Sequence, residues 1–159
     1  MIPPFPFRQI IAALEGAAAG IVTVPWQIWL RSVTDALNAA SQRMAVVTLA
    51  AQSATIGATA LLPDTGSAGL FRVSWFLRVT QAATTSSSVA VTIGFTEGSV
   101  ALTTSGAALT GNTTTTFQQG TLMLACDANS SITYAASYSS VGATSMQYGL
   151  AVIVERVNG

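Results

Sequence analysis

The sequence predicts a mainly β chain: an antiparallel β-sandwich or jelly roll of about eight strands, with an extended amino-terminal arm and one or two short helices. Three observations lead there. From Ala45 onward apolar residues recur with a period of two. Turn signals separate these alternating runs at short spacing. The composition also changes near residue 44: residues 1–43 hold two of the three Trp, four of the five Pro and three of the six Arg, whereas residues 44–159 hold nearly all the Thr and Ser. The chain therefore divides into an arm and helical segment for attachment or oligomerisation (1–43) and a β-sandwich domain (44–159).

Met1–Phe7 contains Pro3, Pro4 and Pro6. Proline fixes φ and pushes its predecessor extended, so this stretch reads as an arm that presents Phe5 and Phe7. Arg8–Ala19 fits a short helix with Ile10, Ile11, Leu14 and Ala18 on one face and Gly20 as its stop. A second helix is clearer. Thr23 or Val24 caps it and Pro25 suits its first turn. Trp26, Trp29, Leu30, Val33, Ala36, Leu37 and Ala40 then follow helical spacing. Within that set Trp26, Trp29, Val33, Ala36 and Ala40 step by 3, 4, 3, 4, as in a coiled-coil seam. A helix this short needs a partner surface, either its own domain or a bundle between subunits. Phe5, Phe7, Trp26, Trp29, Leu30, Val33 and Leu37 are the candidate attachment or oligomer interface.

The strands follow. Val47, Leu49 and Ala51 alternate with polar or small residues. Phe71, Val73, Trp75, Leu77 and Val79 alternate with Arg72, Ser74, Phe76, Arg78 and Thr80, the cleanest strand in the chain. Val89–Phe95 is another, and Val100–Thr103, Thr113–Phe117 and Thr121–Cys126 are shorter. Ile132–Tyr138 and Met146–Val157 complete the set. Turns are expected at Pro63–Gly66, Thr84–Ser88, Glu97–Gly98, Gly106–Gly111, Asp127–Ser130 and Ser139–Gly142.

The missing residue types exclude whole classes of chemistry. Without His there is no Ser-His-Asp or Cys-His catalysis, and the commonest metal ligand is absent. A single Cys excludes thiolate zinc sites and internal disulfides. Without Lys there is no Schiff base and no Walker phosphate loop. The net charge is zero and no basic cluster exists, which argues against nucleic acid. The uncharged run Gly16–Leu30 is too short for a membrane span and contains Pro25. Charged residues make up 8% of the chain, against about 25% in ordinary domains. Little electrostatic repulsion then keeps copies apart, which suits a subunit of an assembly. The expectation is a non-enzymatic protein with no cofactor and no metal.

Residue by residue the same picture holds. The carboxylates are scattered and three fall in turns, where they usually bond backbone; Asp64–Gly66 and Asp127–Asn129 are turns before they are calcium loops. Cys126 falls in step with Leu122 and Leu124 and is expected to face inward as core filler. Asn112 and Asn129 match glycosylation acceptors, a chance-prone match in a chain so rich in Ser and Thr. Arg72, Phe76 and Arg78 share the outward side of one strand, a row that suits a surface contact or the binding of a carboxylate, phosphate or sugar. Tyr134 and Tyr138 would join them in a sugar-binding module.

Two sequence stretches carry a resemblance. Ile2-Pro3-Pro4-Phe5 is one. The other is Gly20-Ile21-Val22-Thr23-Val24-Pro25-Trp26-Gln27-Ile28-Trp29-Leu30, followed by Asp35-Ala36-Leu37-Asn38. Together, before a Thr/Ser-rich β domain, they resemble small virion proteins of tailed bacteriophages, of the fibre or head-decoration type. The resemblance implies a homotrimer on the outer surface of the virion. Its amino end would attach to other virion proteins of the capsid or tail, and its β knob would face solvent. A host surface glycan is a further partner it allows. The long shaft of a receptor-binding fibre is missing, which favours attachment, cementing or capping.

Overall fold

Four strand pairs join residues progressively further apart in the chain. β4 (Ser86–Glu97) pairs with β5 (Val100–Ser105), β3 (Gly69–Gln81) with β6 (Phe117–Cys126), β2 (Ile56–Leu62) with β7 (Ile132–Val141), and β1 (Gln42–Gln52) with β8 (Gln147–Val157). All are antiparallel, so the chain is one long ribbon doubled back on itself. Two further pairings, β3 with β8 and β4 with β7, roll that ribbon into two sheets. Sheet I has the order β1-β8-β3-β6 and sheet II the order β2-β7-β4-β5. This is the double Greek key of a jelly roll.

The computed structural model describes Trp26, residues 28–33 and Gln42–Val157. The arm 1–7, the first helix and residues 34–40 of the second lie outside the described residues, as do Phe5, Phe7 and Leu37. Trp26 and residues 28–33 are helical, as the Trp spacing predicts. Gln42–Val157 forms a compact unit of its own.

The core follows from strand alternation. β3 turns Phe71, Val73, Trp75, Leu77 and Val79 inward, and β8 opposes them with Tyr148, Leu150, Val152 and Val154. Sheet II adds Val89, Val91, Ile93, Ile132, Tyr134 and Ala136. Leu124 and Cys126 complete the β6 side, so the inward thiol is as the alternation implies. Each fully buried aliphatic or aromatic side chain stabilises the sandwich by about 1.5–3 kcal/mol relative to exposure.

Three sequence expectations need correction. Ile56–Leu62 is a strand that the period-two reading missed. Its pairing with β7 shifts register between Ile56 and Thr59 and again between Ala60 and Leu62, so inside and outside do not alternate. Thr113–Thr116 is not a strand but a turn, closed by the Thr116 N–H on the Thr113 carbonyl at 3.0 Å and by hydroxyl contacts of Thr113 with Thr115 and Thr116, each 2.9 Å. Phe117, read as the end of that strand, instead begins β6, which runs unbroken to Cys126. The Thr84–Ser88 turn is shorter than expected, because β4 already starts at Ser86.

Burial also sets how the fold responds to alkali. Tyr148 is fully buried and its hydroxyl donates to the Ala54 carbonyl at 2.8 Å. Burial first, then Tyr138 and Tyr134, push it from 10.0 up to about 12. Burial first, then the charges of Glu97 and Asp127, push the Cys126 thiol from 9.0 up to about 11. Both groups are neutral when protonated, so the folded state holds these protons more tightly than the unfolded chain does. Their contribution is therefore complete below pH 9 and drains away as pH rises from 9 towards 12, by about 1.4 kcal/mol per unit and group. Urea unfolding midpoints should be level between pH 7 and 8.5 and fall steeply above pH 9.5. A level profile to pH 11 would contradict this burial.

Candidate interaction surfaces

The two outer faces of the sandwich differ in chemistry. On sheet I, register places the outward residues in rows: Val46, Ile153, Ser74, Thr121; then Thr48, Ala151, Phe76, Gln119; then Arg78 beside Phe117; and at the other end Arg43, Glu155, Arg72, Met123. The apolar members are unusually open for their size: Phe76 is 42%, Phe117 58% and Met123 56% exposed. Phe76 and Phe117 stack with centroids 5.8 Å apart. An open hollow of about 470 Å³ lies beside Phe76, lined also by Ser74, Gln119, Thr121, Ala151 and Ile153. Clustered exposed aromatics are a common feature of contact surfaces.

On sheet II the outward rows read Ser139 and Ser88; Ser137 and Ala90; Ala135, Thr92 and Ser105; Thr133, Gly94 and Thr103. These side chains are small, and the hydroxyls bond laterally, as Thr92 does to Ser105 at 2.7 Å. None of them is charged or aromatic. The next row, Ser86 and Val141, adds an open aliphatic side chain, so this face combines hydroxyls with small and aliphatic groups and lacks the aromatic anchors of sheet I.

The structure puts Arg72, Phe76 and Arg78 on one outward face, as the alternation predicts, but it divides their roles. Both Nη2 and Nε of Arg72 reach Oε2 of Glu155, at 2.6 and 2.8 Å. Glu155 is the cross-strand neighbour from β8, 83 residues away, a pairing that sequence spacing cannot show. Arg78 forms no ion pair with any described residue, and its cross-strand neighbour is the open Phe117 ring. Sequence reasoning missed Phe117 and Met123, because the first was assigned to a separate strand and the second lies on the outward side of β6.

Tyr134 and Tyr138 do not join this surface. Tyr134 is 5% exposed, and Tyr138 packs against the core, meets the Tyr148 ring at a tilt with centroids 5.9 Å apart and donates its hydroxyl to the Met146 carbonyl at 2.8 Å. Tyr134 is a core residue and Tyr138 a partly buried one packed against the core, so neither stands on the Arg72–Phe76–Arg78 face where a sugar-binding role would place it.

The turn acids gather at one end. Asp64 accepts the Gly66 N–H at 2.7 Å, the local Asx turn expected of it. Asp127 instead reaches another strand pair. Its two carboxylate oxygens accept the Gly98 and Ser99 N–H groups of the β4–β5 turn, at 2.9 and 2.7 Å. Buried Thr65 ties in the third loop: its hydroxyl donates to the Asp127 carbonyl at 2.7 Å and accepts the Ser130 N–H at 3.1 Å. Asp64 and Asp127, in loops, and Glu97, at the end of β4, thus sit at one pole of the sandwich. Arg156 is near them, donating to the Ser67 hydroxyl and the Ala68 carbonyl. No group of three or more His, Cys, Asp or Glu is placed to hold a metal among the described residues. Asn112 is a structural side chain, accepting from the Ala83 N–H and Ser87 hydroxyl and donating to the Ala83 carbonyl.

In the described part of the helix, Trp26 and Trp29 meet edge to face with centroids 5.7 Å apart. Both are half-buried, as is Val33, whereas Ile28 and Leu30 are exposed. Among the described residues no helix is long and apolar enough to cross a membrane.

No protein-family model and no curated protein matches the chain. Among solved structures it is similar to a pentameric capsid protein isolated from metagenomic phage sequences, at 16% identity, over 96% of this chain and 91% of that one, with a TM-score of 0.32.

Proposed function

We propose that this protein is a non-enzymatic structural subunit of a tailed-phage virion. It is a homotrimer on the outer surface, docked to capsid or tail proteins through its amino-terminal arm and Trp helix. The observation that carries this reading is the contrast between the two outer faces. Sheet I exposes aromatic and other large apolar side chains that call for a cover, and sheet II, Val141 apart, exposes mainly hydroxyls and small side chains suited to water. A free monomer has no use for such polarity; a subunit with an inside and an outside does. The resemblance of residues 2–42 to small virion proteins supplies the kind of assembly.

Engagement of the acids supports the non-enzymatic part. Asp64 caps its own turn, Asp127 clamps a neighbouring hairpin and Glu155 neutralises Arg72, so these carboxylates are held in structural work. General acid–base catalysis needs a carboxyl aimed at open space with a matched partner.

Light scattering on the full chain is expected to give about 49 kDa, three times 16.3 kDa. A chain beginning at Gln42 should keep its β circular-dichroism spectrum and lose co-sedimentation with particles that lack the subunit. A full-length chain that stays monomeric at all concentrations would refute the oligomer. A truncated chain that still attached would refute docking through the amino-terminal segment.

A further inference from the structure

The β unit's charges balance in number but not in place. The sheet I face carries Arg43, Arg72 and Arg78 against Glu155, whereas the loop pole carries Asp64, Glu97 and Asp127 against Arg156. Arg78 stands nine residues along β3 from Gly69, whose partner Cys126 adjoins Asp127. At about 3.3 Å per residue this is about 30 Å, so Arg78 cannot reach its own acidic pole.

Each of these surfaces also has an apolar member beside its charge. Arg78 and Phe76 are successive residues of one face, about 7 Å apart, with the hollow next to Phe76. Glu97 faces Val100 across the β4–β5 hairpin, about 5 Å away, and Val100 is 56% exposed. One surface offers a cation beside a hollow; the other offers a carboxylate beside a projecting aliphatic side chain.

The geometry points to a heterologous contact between copies: the acidic pole of one copy, led by Glu97 and Val100, seats on the sheet I face of the next at Arg78 and the Phe76 hollow. This rests on the homo-oligomeric reading above and supplies its interface. The two mating surfaces differ, so each copy gives one and receives the other, and such a contact closes into a ring when the rotation between copies divides a full turn. Pairing of two identical sheet I faces would set arginines against arginines.

The test is a charge swap in the full chain, read by sedimentation velocity over a concentration series. Arg78→Glu and Glu97→Arg should each weaken association at least about tenfold, and the double variant should restore it. Both sites are exposed, and circular dichroism checks that each variant folds. Unchanged association in the single variants, or no recovery in the double, would overturn this contact while leaving the homo-oligomer intact. Tighter association of Arg78→Glu would indicate pairing of identical faces and overturn it as well. A monomeric unaltered chain would overturn both the contact and the oligomeric reading. Glycan-array binding lost in Arg78→Glu, with mass unchanged, would assign the face to a sugar instead.

Discussion

Gly120→Val is expected to destabilise the β unit by about 2 kcal/mol or more, whereas Gly57→Val should cost nothing. Both glycines lie in strands, and in both places valine gains up to about 1 kcal/mol of strand preference. What differs is the space. A Cβ on Gly120 would stand 2.5 Å from Cζ2, 2.6 Å from Cε2 and 2.8 Å from Nε1 of Trp75. The indole packs against the β6 backbone at Gly120 and reaches Gly106, just after β5, where a Cβ would again come within 2.8 Å of Cζ2. Trp75 thereby closes the side of the sandwich where sheet I ends in β6 and sheet II adds β5. A rigid two-ring side chain cannot yield locally, so valine must push it out or part the sheets, at about 1–3 kcal/mol for overpacking and more where no relaxation exists. A Cβ on Gly57 meets nothing within 4 Å. Urea titrations followed by tryptophan emission measure both variants. Equal midpoints for the two would mean that Trp75 does not occupy this place.

The jelly roll was legible in the sequence to the extent that its strands alternate. β3 and β8 announce themselves because one side of each is wholly buried, and a strict inside–outside rhythm follows. β2 is silent because it is an edge strand with two register shifts, and bulges erase the rhythm. Thr113–Thr116 misleads for the opposite reason: threonine is a strand former by preference, but here the hydroxyls of Thr113, Thr115 and Thr116 satisfy one another in a turn. At the surface, the outward placement of Arg72, Phe76 and Arg78 follows from alternation alone. That Arg72 is spent on Glu155 does not, because the partner arrives through the β3–β8 pairing, which no local pattern encodes. Its turn position predicts that Asp127 bonds its own backbone. It is a turn acid, but it serves the turn of another hairpin.

Removal of that carboxylate carries the second large effect. Asp127→Ala should cost about 2–3 kcal/mol, and Asp127→Asn roughly half as much. The β4–β5 connection is a two-residue turn with φ of 57° at Gly98 and 63° at Ser99, the mirror-image type that matches strand twist. Glycine adopts this conformation freely, but serine does so only under constraint. Asp127 supplies it by accepting one N–H on each carboxylate oxygen, 2.9 and 2.7 Å away, while its own N–H donates to the Thr96 carbonyl at 2.9 Å. Hydrogen bonds to a charged acceptor contribute about 1.5–3 kcal/mol each when buried and less where water competes, as it does at this exposed turn. Alanine loses both. Asparagine keeps one acceptor and turns an amide N–H towards the second donor, so it retains one bond at reduced strength. Amide hydrogen exchange at Gly98 and Ser99 separates a local from a global loss: it should accelerate in Asp127→Ala before the core strands open, and unchanged exchange there would contradict the clamp. Because Glu97 and Val100 flank the same turn, a loosened hairpin also blurs the surface assigned to the neighbouring copy. Asp127→Ala should therefore weaken self-association both by loosening this turn and by removing one charge of the acidic pole, and Asp127→Asn, which loses the same charge but keeps part of the turn, should weaken it less.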